Sequence, residues 1–229
     1  VTQAQFLALC ENRHPDTGER LTVRTKANRR AGYDLTFNAP KSLTLVYEYT
    51  RDDRVLAAFE AAVQATMQAV EEAMQTRVRV QGGQTDRCTG NLVAARFTDF
   101  FARPLADGRC DPHLHAHGFV MNATFDAVEG RWKAGQGGAI ARQLPYFEAL
   151  FHAHLARGVR GLGYDTLRVG KFWEVAGVSQ ALRDKFSGRT QVIEDTAQAL
   201  GVQDQAAKGR LGVTDCNRNQ PGLQSARFQ

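Results

Sequence analysis

Two short stretches of this 229-residue chain hold side chains that could do chemistry. In "DPHLHAHGFVMN", residues 111–122, His113, His115 and His117 fall at alternating positions. Side chains of a β-strand alternate between faces, so the three imidazoles project from one side. Leu114, Ala116 and Gly118 then occupy the other. Neighbouring histidines on one face lie ~6.5–7 Å apart at Cα and can share a metal ion. The outer pair, ~13–14 Å apart, cannot converge on one ion without bending. The pattern therefore predicts two adjacent histidines plus a ligand from a neighbouring element. Imidazoles suit Zn, Mn, Ni, Co or Cu, and oxygen ligands shift the preference toward Mg or Mn. A solvent-facing polar strand explains one histidine readily and three on one face poorly.

The second stretch is "GYDLTFNAPKSLTL", residues 32–45. If Leu35 and Phe37 face a core, Asp34, Thr36 and Asn38 share the opposite face. Lys41 and Ser42 follow Pro40, where a loop or bulge would present them to an anion. A carboxylate beside an amine is common on any surface, so this stretch gains meaning only beside the first.

These residues need elements to position them. "TQAQFLALCE" reads as a short helix, "YDLTFN" as a strand and "SLTLVYEY", rich in β-branched and aromatic residues, as a second strand. Between Asp52 and Gln75, Val55, Phe59, Val63, Met67, Val70 and Met74 recur every three or four residues and predict the clearest helix. "QGGQTDRCTG" is turn-rich, with part of it able to pair as a hairpin. "NLVAARFTDF" is a strand, and after a loop the histidine strand follows. A turn near "DAVEG" and a short strand at "RWKAG" come next. Gly138 to Leu162 reads as helix, "GYDTLRVGKFWEVAG" as a hairpin, and "SQALRDKFSGRTQVIEDTAQAL" as helix with a break at Gly188. Strands and helices intermix without a βαβ rhythm. The expected fold class is α+β, with a mainly antiparallel sheet packed against helices.

Composition bounds the function. Hydrophobic residues make up 43% of the chain, which suits one globular domain with or without a helical appendage. The net charge of +5 fits a polyanion partner without requiring one. Cys10, Cys88, Cys110 and Cys216 form no CxxC pair, so neither a disulfide framework nor a zinc ribbon follows. No apolar run approaches the ~18–20 residues needed to span a bilayer, and no signal peptide is visible. A cytoplasmic protein with reduced thiols is expected.

Four segments, "GYDLTFNAPKS", "TGNLVAARF", "DPHLHAHGFVMNAT" and "KFSGRTQVIE", occur in this order and at this spacing. Together they resemble the relaxase domain of conjugative plasmid-transfer proteins, the TrwC/MobF-type relaxases of the HUH endonuclease group. The resemblance runs from about Ala31 to about Leu200. It implies a palm of antiparallel strands, related in shape to RNA-recognition folds, with helices behind it. It also implies binding of single-stranded DNA at an origin of transfer and cutting of one strand. There a tyrosine attacks the phosphodiester, leaving a 5′-phosphotyrosine link and a free 3′-OH, and the reverse reaction rejoins the strand. Relaxosome and type IV secretion proteins are the implied partners, often with a helicase domain in the same chain.

The chemistry fits the residues. A tyrosine hydroxyl has a reference pKa of ~10 and needs a base at neutral pH. By the resemblance Asp34 is that base or an orienting partner, and His115 and His117 are two ligands of a divalent cation. The family's usual third histidine lies on the preceding strand, where this chain has Asp99. Either Asp99 ligates, hardening the site toward Mg²⁺ or Mn²⁺, or His113 supplies a third imidazole and leaves Zn²⁺, Ni²⁺ or Co²⁺ open. Ligand softness favours His113. The family's nucleophile lies ahead of the "DLTF" strand, yet no tyrosine precedes Tyr33, which should point away from Asp34. Tyr47 and Tyr49 read as packing residues of one strand, and Tyr146 and Tyr164 lie near a helix and a hairpin. A nucleophile upstream of Val1 is therefore expected. Residues 1–200 read as a relaxase domain without its N-terminal tyrosine strand, and 201–229 as a helical or disordered extension.

Phosphates need cations and bases need aromatic faces. The expected phosphate contacts are Arg24, Lys26, Arg29, Arg30 and Lys41, with Ser42 beside them; Arg77, Arg79 and Arg189 are further candidates. Phe100 and Phe101 read as core residues that could instead stack on bases. Three rivals share parts of this pattern. A rolling-circle replication initiator would use a helical tyrosine after the histidines, here Tyr146. A metal-stabilised single-stranded DNA-binding module would use the histidines structurally. A hydrolytic nuclease would form no covalent adduct.

Overall fold

The computed structural model describes residues 2–23, 29–204 and 207–208. Helix α1 (Gln3–Cys10) starts at Thr2, whose hydroxyl accepts from the Gln5 N–H while the Gln5 side chain accepts from the Thr2 N–H. Strand β1 (Gly32–Asn38) buries Leu35 and Phe37 and exposes Asp34, Thr36 and Asn38, as the alternation predicts.

Beyond Pro40 the chain departs from expectation. "SLTLVYEY" is not a strand but most of helix α2 (Lys41–Thr50). Pro40, with φ fixed at −51°, caps the helix, where its missing N–H costs nothing. Leu43 and Tyr47, four residues apart, then lie on one buried stripe. Thr44 anchors the helix from the same side by accepting a 3.2 Å hydrogen bond from the Leu114 N–H. Tertiary packing outweighs a β-propensity scale that spans only about 1 kcal/mol.

Helix α3 (Asp53–Glu72), capped by the Asp52 carboxylate on the Arg54 N–H, buries Val55, Phe59, Val63, Met67 and Val70. Burying each such side chain contributes about 1.5–3 kcal/mol. Strands β2 (Gln75–Val80) and β3 (Gly83–Cys88) form a hairpin turned by Gln81 and Gly82, both at positive φ, as a two-residue primed turn requires. Strands β4 (Ala94–Phe101) and β5 (Pro112–Met121) follow, then the small hairpin β6 (Thr124–Asp126) and β7 (Arg131–Lys133). The helix expected across Gly138–Leu162 is two helices, α4 (Gly137–Arg142) and α5 (Leu144–Gly161). They part at Gln143 because Pro145 cannot donate backward and suits only a first turn. Strands β8 (Thr166–Val169) and β9 (Phe172–Val175) form the predicted hairpin. Helices α6 (Gln180–Lys185) and α7 (Gly188–Ala199) divide close to the expected Gly188.

The main sheet has strand order β1-β5-β4, antiparallel throughout, so β5 is central and β1 forms one edge. Helices α3 and α5 cover its back. Phe37 of β1 lies 5.3 Å from Phe151 of α5, and Gly118 of β5 lies so close to Met67 of α3 that a Cβ there would sit 2.9 Å from its sulfur. Leu114 and Ala116 are fully buried in this core. The front face carries the histidines. The extension expected over 201–229 lies outside the described residues except for 201–204 and 207–208.

Candidate metal centre and active site

The pleat of β5 sends His113, His115 and His117 to the open face while Leu114 and Ala116 fill the core. The imidazoles form a row, with ring centroids 4.7 Å apart for His113 and His115 and 5.1 Å apart for His115 and His117. Pairing with β4 sets Asp99 directly opposite His115. Pairing with β1 sets Asn38 opposite His115 and Thr36 opposite His117.

Ligand atoms of Asp99, His115 and His117 all lie within 4.8 Å of one another. Hydrogen bonds fix which imidazole nitrogens are free. Nδ1 of His115 is 2.8 Å from the carbonyl oxygen of His113, which can only accept, so Nδ1 carries the hydrogen. Nδ1 of His117 is 2.8 Å from Oδ2 of Asp34, and an ionised carboxylate likewise only accepts. Both rings are left with an Nε2 lone pair. This is how metal-binding histidines are commonly prepared, with a carbonyl or carboxylate holding the other nitrogen. Two imidazoles and a carboxylate with room for further ligands fit a divalent ion.

His113, the preferred third ligand on softness, is not gathered into this set. Its Nε2 lies 3.0 Å from Oδ1 of Asn38. The pairing of β4 with β5 shifts by one residue between Asp99 and Phe101, which carries the start of β5 out of step. Burial, and then the neighbouring charges of His115, Lys41 and His117, push the His113 pKa down to about 4. It is a neutral ring packed beside the site.

The other expected residues divide sharply. Lys41, at the start of α2, is half-buried and donates a 2.7 Å hydrogen bond to the Pro112 carbonyl, next to His113. Burial lowers its pKa, against the pull of Asp111 and Glu174. Ser42, expected to face an anion, is fully buried. Its Oγ accepts a 2.6 Å hydrogen bond from the Val175 N–H and its own N–H donates to Glu174. Once α2 replaces the expected strand, this hydroxyl faces β9 and has no surface to offer DNA. Arg29 is half-buried and donates to the Asn122 carbonyl at 3.3 Å, with its pKa lowered by burial. Arg30 is exposed, with its guanidinium 5.2 Å from the centroid of the Tyr33 ring. Arg189 lies on the first turn of α7, where the Gly188 N–H donates to Asp111 at 2.7 Å. Arg77 pairs with Asp86 on the β2–β3 hairpin, and Arg79 is exposed on the same strand. Arg24 and Lys26 lie outside the described residues.

Tyr33 sits on the Leu35 side of β1, away from Asp34, as predicted. Tyr47 and Tyr49 belong to a helix and not to a strand: Tyr47 is buried on Phe100, and Tyr49 is 92% exposed. Tyr146, on the first turn of α5, rests edge-on against Phe147.

One feature was not legible in the sequence. A cleft of about 500 Å³ runs along the outer edge of β1 from Asp34 to Pro40, walled by the start of α5 and by Phe172–Glu174 of β9. His152 lines it, with a buried Nδ1 that has no hydrogen-bond partner among the described residues. The cleft joins β1 to two segments more than a hundred residues further along the chain, and no local pattern announces it.

Comparison with known proteins identifies the family. A family model described as TrwC relaxase matches residues 1–219. The chain belongs to the TrwC relaxase family. It is 36% identical over 223 residues to the multifunctional conjugation protein TraI of Escherichia coli, covering 92% of this chain and 12% of that protein. The chain thus spans about an eighth of the curated relative's length. Among solved structures, the conjugative relaxase TrwC in complex with oriT DNA, in metal-bound form, superposes with a TM-score of 0.82 at 29% identity. That match covers 93% of this chain and 74% of the other. TrwC complexed with a 27-mer DNA comprising the recognition hairpin and the cleavage site gives 0.82 at 27% identity, over 93% and 77%. This TrwC-family chain therefore shares its α+β fold with structures solved on DNA. Among the described residues no helix is long and apolar enough to cross a membrane.

Proposed function

We propose that this chain is the part of a conjugation protein that nicks and rejoins one DNA strand at a plasmid origin of transfer. The observation that carries the reading is the convergence of Asp34, His117, His115 and Asp99 on one open face of the sheet. The likeness to TrwC bound to oriT DNA and to the conjugation protein TraI supports origin DNA as the substrate and conjugation as the setting.

When bound, a divalent ion offsets the charge that builds up on the scissile phosphate's oxygens. His115, His117 and Asp99 are the residues that would hold it. One carboxylate among two imidazoles favours Mg²⁺ or Mn²⁺, with Zn²⁺, Ni²⁺ or Co²⁺ as softer alternatives. Asp34 keeps His117 in the tautomer that frees Nε2, and its second oxygen remains able to take a proton from a tyrosine hydroxyl. Transfer of that proton accompanies attack of the tyrosine oxygen on phosphorus. The P–O3′ bond breaks, the 3′-oxygen takes up a proton, and a 5′-phosphotyrosine link remains. Lys41, near His113, and Arg30 are the cations this reading assigns to DNA phosphates. Relaxosome and secretion partners, and a helicase domain, belong to the same reading.

The test incubates the protein carrying this domain with an origin-of-transfer oligonucleotide and Mg²⁺ or Mn²⁺. A protein–DNA adduct that survives a denaturing gel, with a free 3′-OH on the other fragment, is expected. Cleavage without an adduct would make the protein a hydrolytic nuclease. Binding without cleavage would leave it a non-catalytic module.

A further inference from the structure

The open face of the sheet carries two phenyl rings beside the metal-ligating set. On β4, Phe97, Asp99 and Phe101 point to one side, and Thr98 and Phe100 to the other. Phe97 pairs opposite His117 and Phe101 opposite Pro112, so the rings bracket Asp99 along the strand. Each ring is 50% exposed. Phe100, between them, shows what a packing aromatic does on this strand: it turns inward and stacks on Tyr47 at 5.7 Å. Phe97 meets Phe6 of α1 with 5.9 Å between centroids and 89° between ring planes, and half of its surface stays open to solvent.

We propose that Phe97 and Phe101 stack on the bases of two nucleotides that flank the phosphate held over Asp99, His115 and His117. The proposal rests on the relaxase reading for its substrate and goes beyond it in naming the base platform. Four residues of strand span about 13 Å, enough to seat a phosphate between the rings. Along this strand the surface alternates apolar ring, carboxylate, apolar ring, with imidazoles beside it. A polymer whose repeating unit joins a flat base to an anion matches that alternation, because the cation that Asp99, His115 and His117 would hold would offset the phosphate's charge. Stacking on a phenyl face tolerates any base, so these rings position the strand without reading its sequence. Phe101 reads from sequence as a core residue that could instead stack on bases, and no local pattern marks Phe97, because the register that puts both beside the histidines is a long-range property.

The test compares two single-stranded oligomers of equal length, one of mixed sequence and one whose sugars carry no bases. Both present the same phosphates. Phe101→Ala should weaken binding of the base-bearing oligomer roughly tenfold and leave the abasic one unchanged, and Phe101→Trp should keep or improve it. Phe97→Ala should act alike, with Phe97→Tyr retaining affinity in case loss of the Phe6 contact loosens α1. Mn²⁺ affinity measured by calorimetry should be unchanged in all four variants. Equal losses on both oligomers, or no loss on either, would overturn the proposal. So would a wild-type protein that binds the two oligomers equally, whatever its cleavage activity. A wild-type protein that prefers the base-bearing oligomer, loses that preference in the alanine variants and yet forms no adduct with origin DNA would support the platform and sink only the relaxase reading.

Discussion

His117 donates its Nδ1 hydrogen to Oδ2 of Asp34 across 2.8 Å, from the central strand to the edge strand of the palm. The two residues are 83 apart in the chain, yet adjacent strands bring them together on one face. This bond couples two tasks. In the proposed reaction it would hold the imidazole with Nε2 free for an ion, and keep a carboxylate oxygen available for a nucleophile's proton.

The two tasks come apart in mutants of Asp34. Asp34→Asn keeps an acceptor for His117 through its amide oxygen but has lost a base. Mn²⁺ affinity should change little, while adduct formation should fall about 10²–10⁴-fold. Asp34→Ala removes the acceptor as well and should also weaken metal binding about 10–100-fold. Calorimetric titration and denaturing gels measure the two effects. Equal metal affinity in the asparagine and alanine variants would show that the bond does not orient His117.

Asp99, and not His113, should control which ion is bound. Asp99→Ala should abolish tight Mg²⁺ or Mn²⁺ binding, and Asp99→His should shift the preference toward Zn²⁺, Ni²⁺ or Co²⁺. His113→Ala should alter metal affinity by less than about tenfold, since that ring is engaged with Asn38. A competition titration across these ions reads the outcome. If His113→Ala removes binding as completely as Asp99→Ala, His113 moves into the coordination shell on loading.

Local periodicity revealed most of the elements and the common face of the histidines. The alternation around Asp34 and the three-four spacing from Val55 to Met74 each have one physical solution, and the structure adopts it. "SLTLVYEY" misled because its side chains favour strands intrinsically, while Pro40 and the core on both sides of α2 favour a helix. The choice between Asp99 and His113 was illegible because it depends on strand register and on a one-residue shift in pairing, which ligand chemistry does not encode. Ser42 failed for the same reason as its strand: once the backbone coils, its hydroxyl turns inward.

The two faces of β5 should respond in opposite ways to truncation. Leu114 is fully buried, so Leu114→Ala should cost about 2–5 kcal/mol of stability and lower the melting temperature. His115 projects from the open face, so His115→Ala should keep the metal-free fold within about 1 kcal/mol while eliminating cleavage. Thermal melts in chelator, paired with activity assays, separate the two. A His115→Ala protein that unfolds would favour a metal-stabilised module over a catalyst.

Ser42 should matter to folding and not to DNA. Ser42→Ala leaves the buried Val175 N–H without its 2.6 Å acceptor, which should cost about 1–3 kcal/mol. Denaturant midpoints report this loss. Oligonucleotide affinity of the folded variant should match the wild type, and a selective loss of DNA binding would restore Ser42 to the interface.

His152 should make the fold sensitive to mild acid. Burial lowers its pKa from the ordinary 6.5, with Glu148 pulling the other way, and its Nδ1 has no hydrogen-bond partner among the described residues. Because the folded-state pKa is the lower one, the unfolded chain binds the proton more readily. Stability is therefore complete above about pH 6.5 and declines as pH falls below it, until the folded protein itself takes up the proton. The ring sits between Phe151 and Phe172 beside the β1 cleft, so protonation should loosen that wall first. His152→Gln removes the titration while keeping a polar side chain, and should flatten the fall in melting temperature between pH 6.5 and 5. An unchanged slope would show that the imidazole finds compensation in solvent entering the cleft.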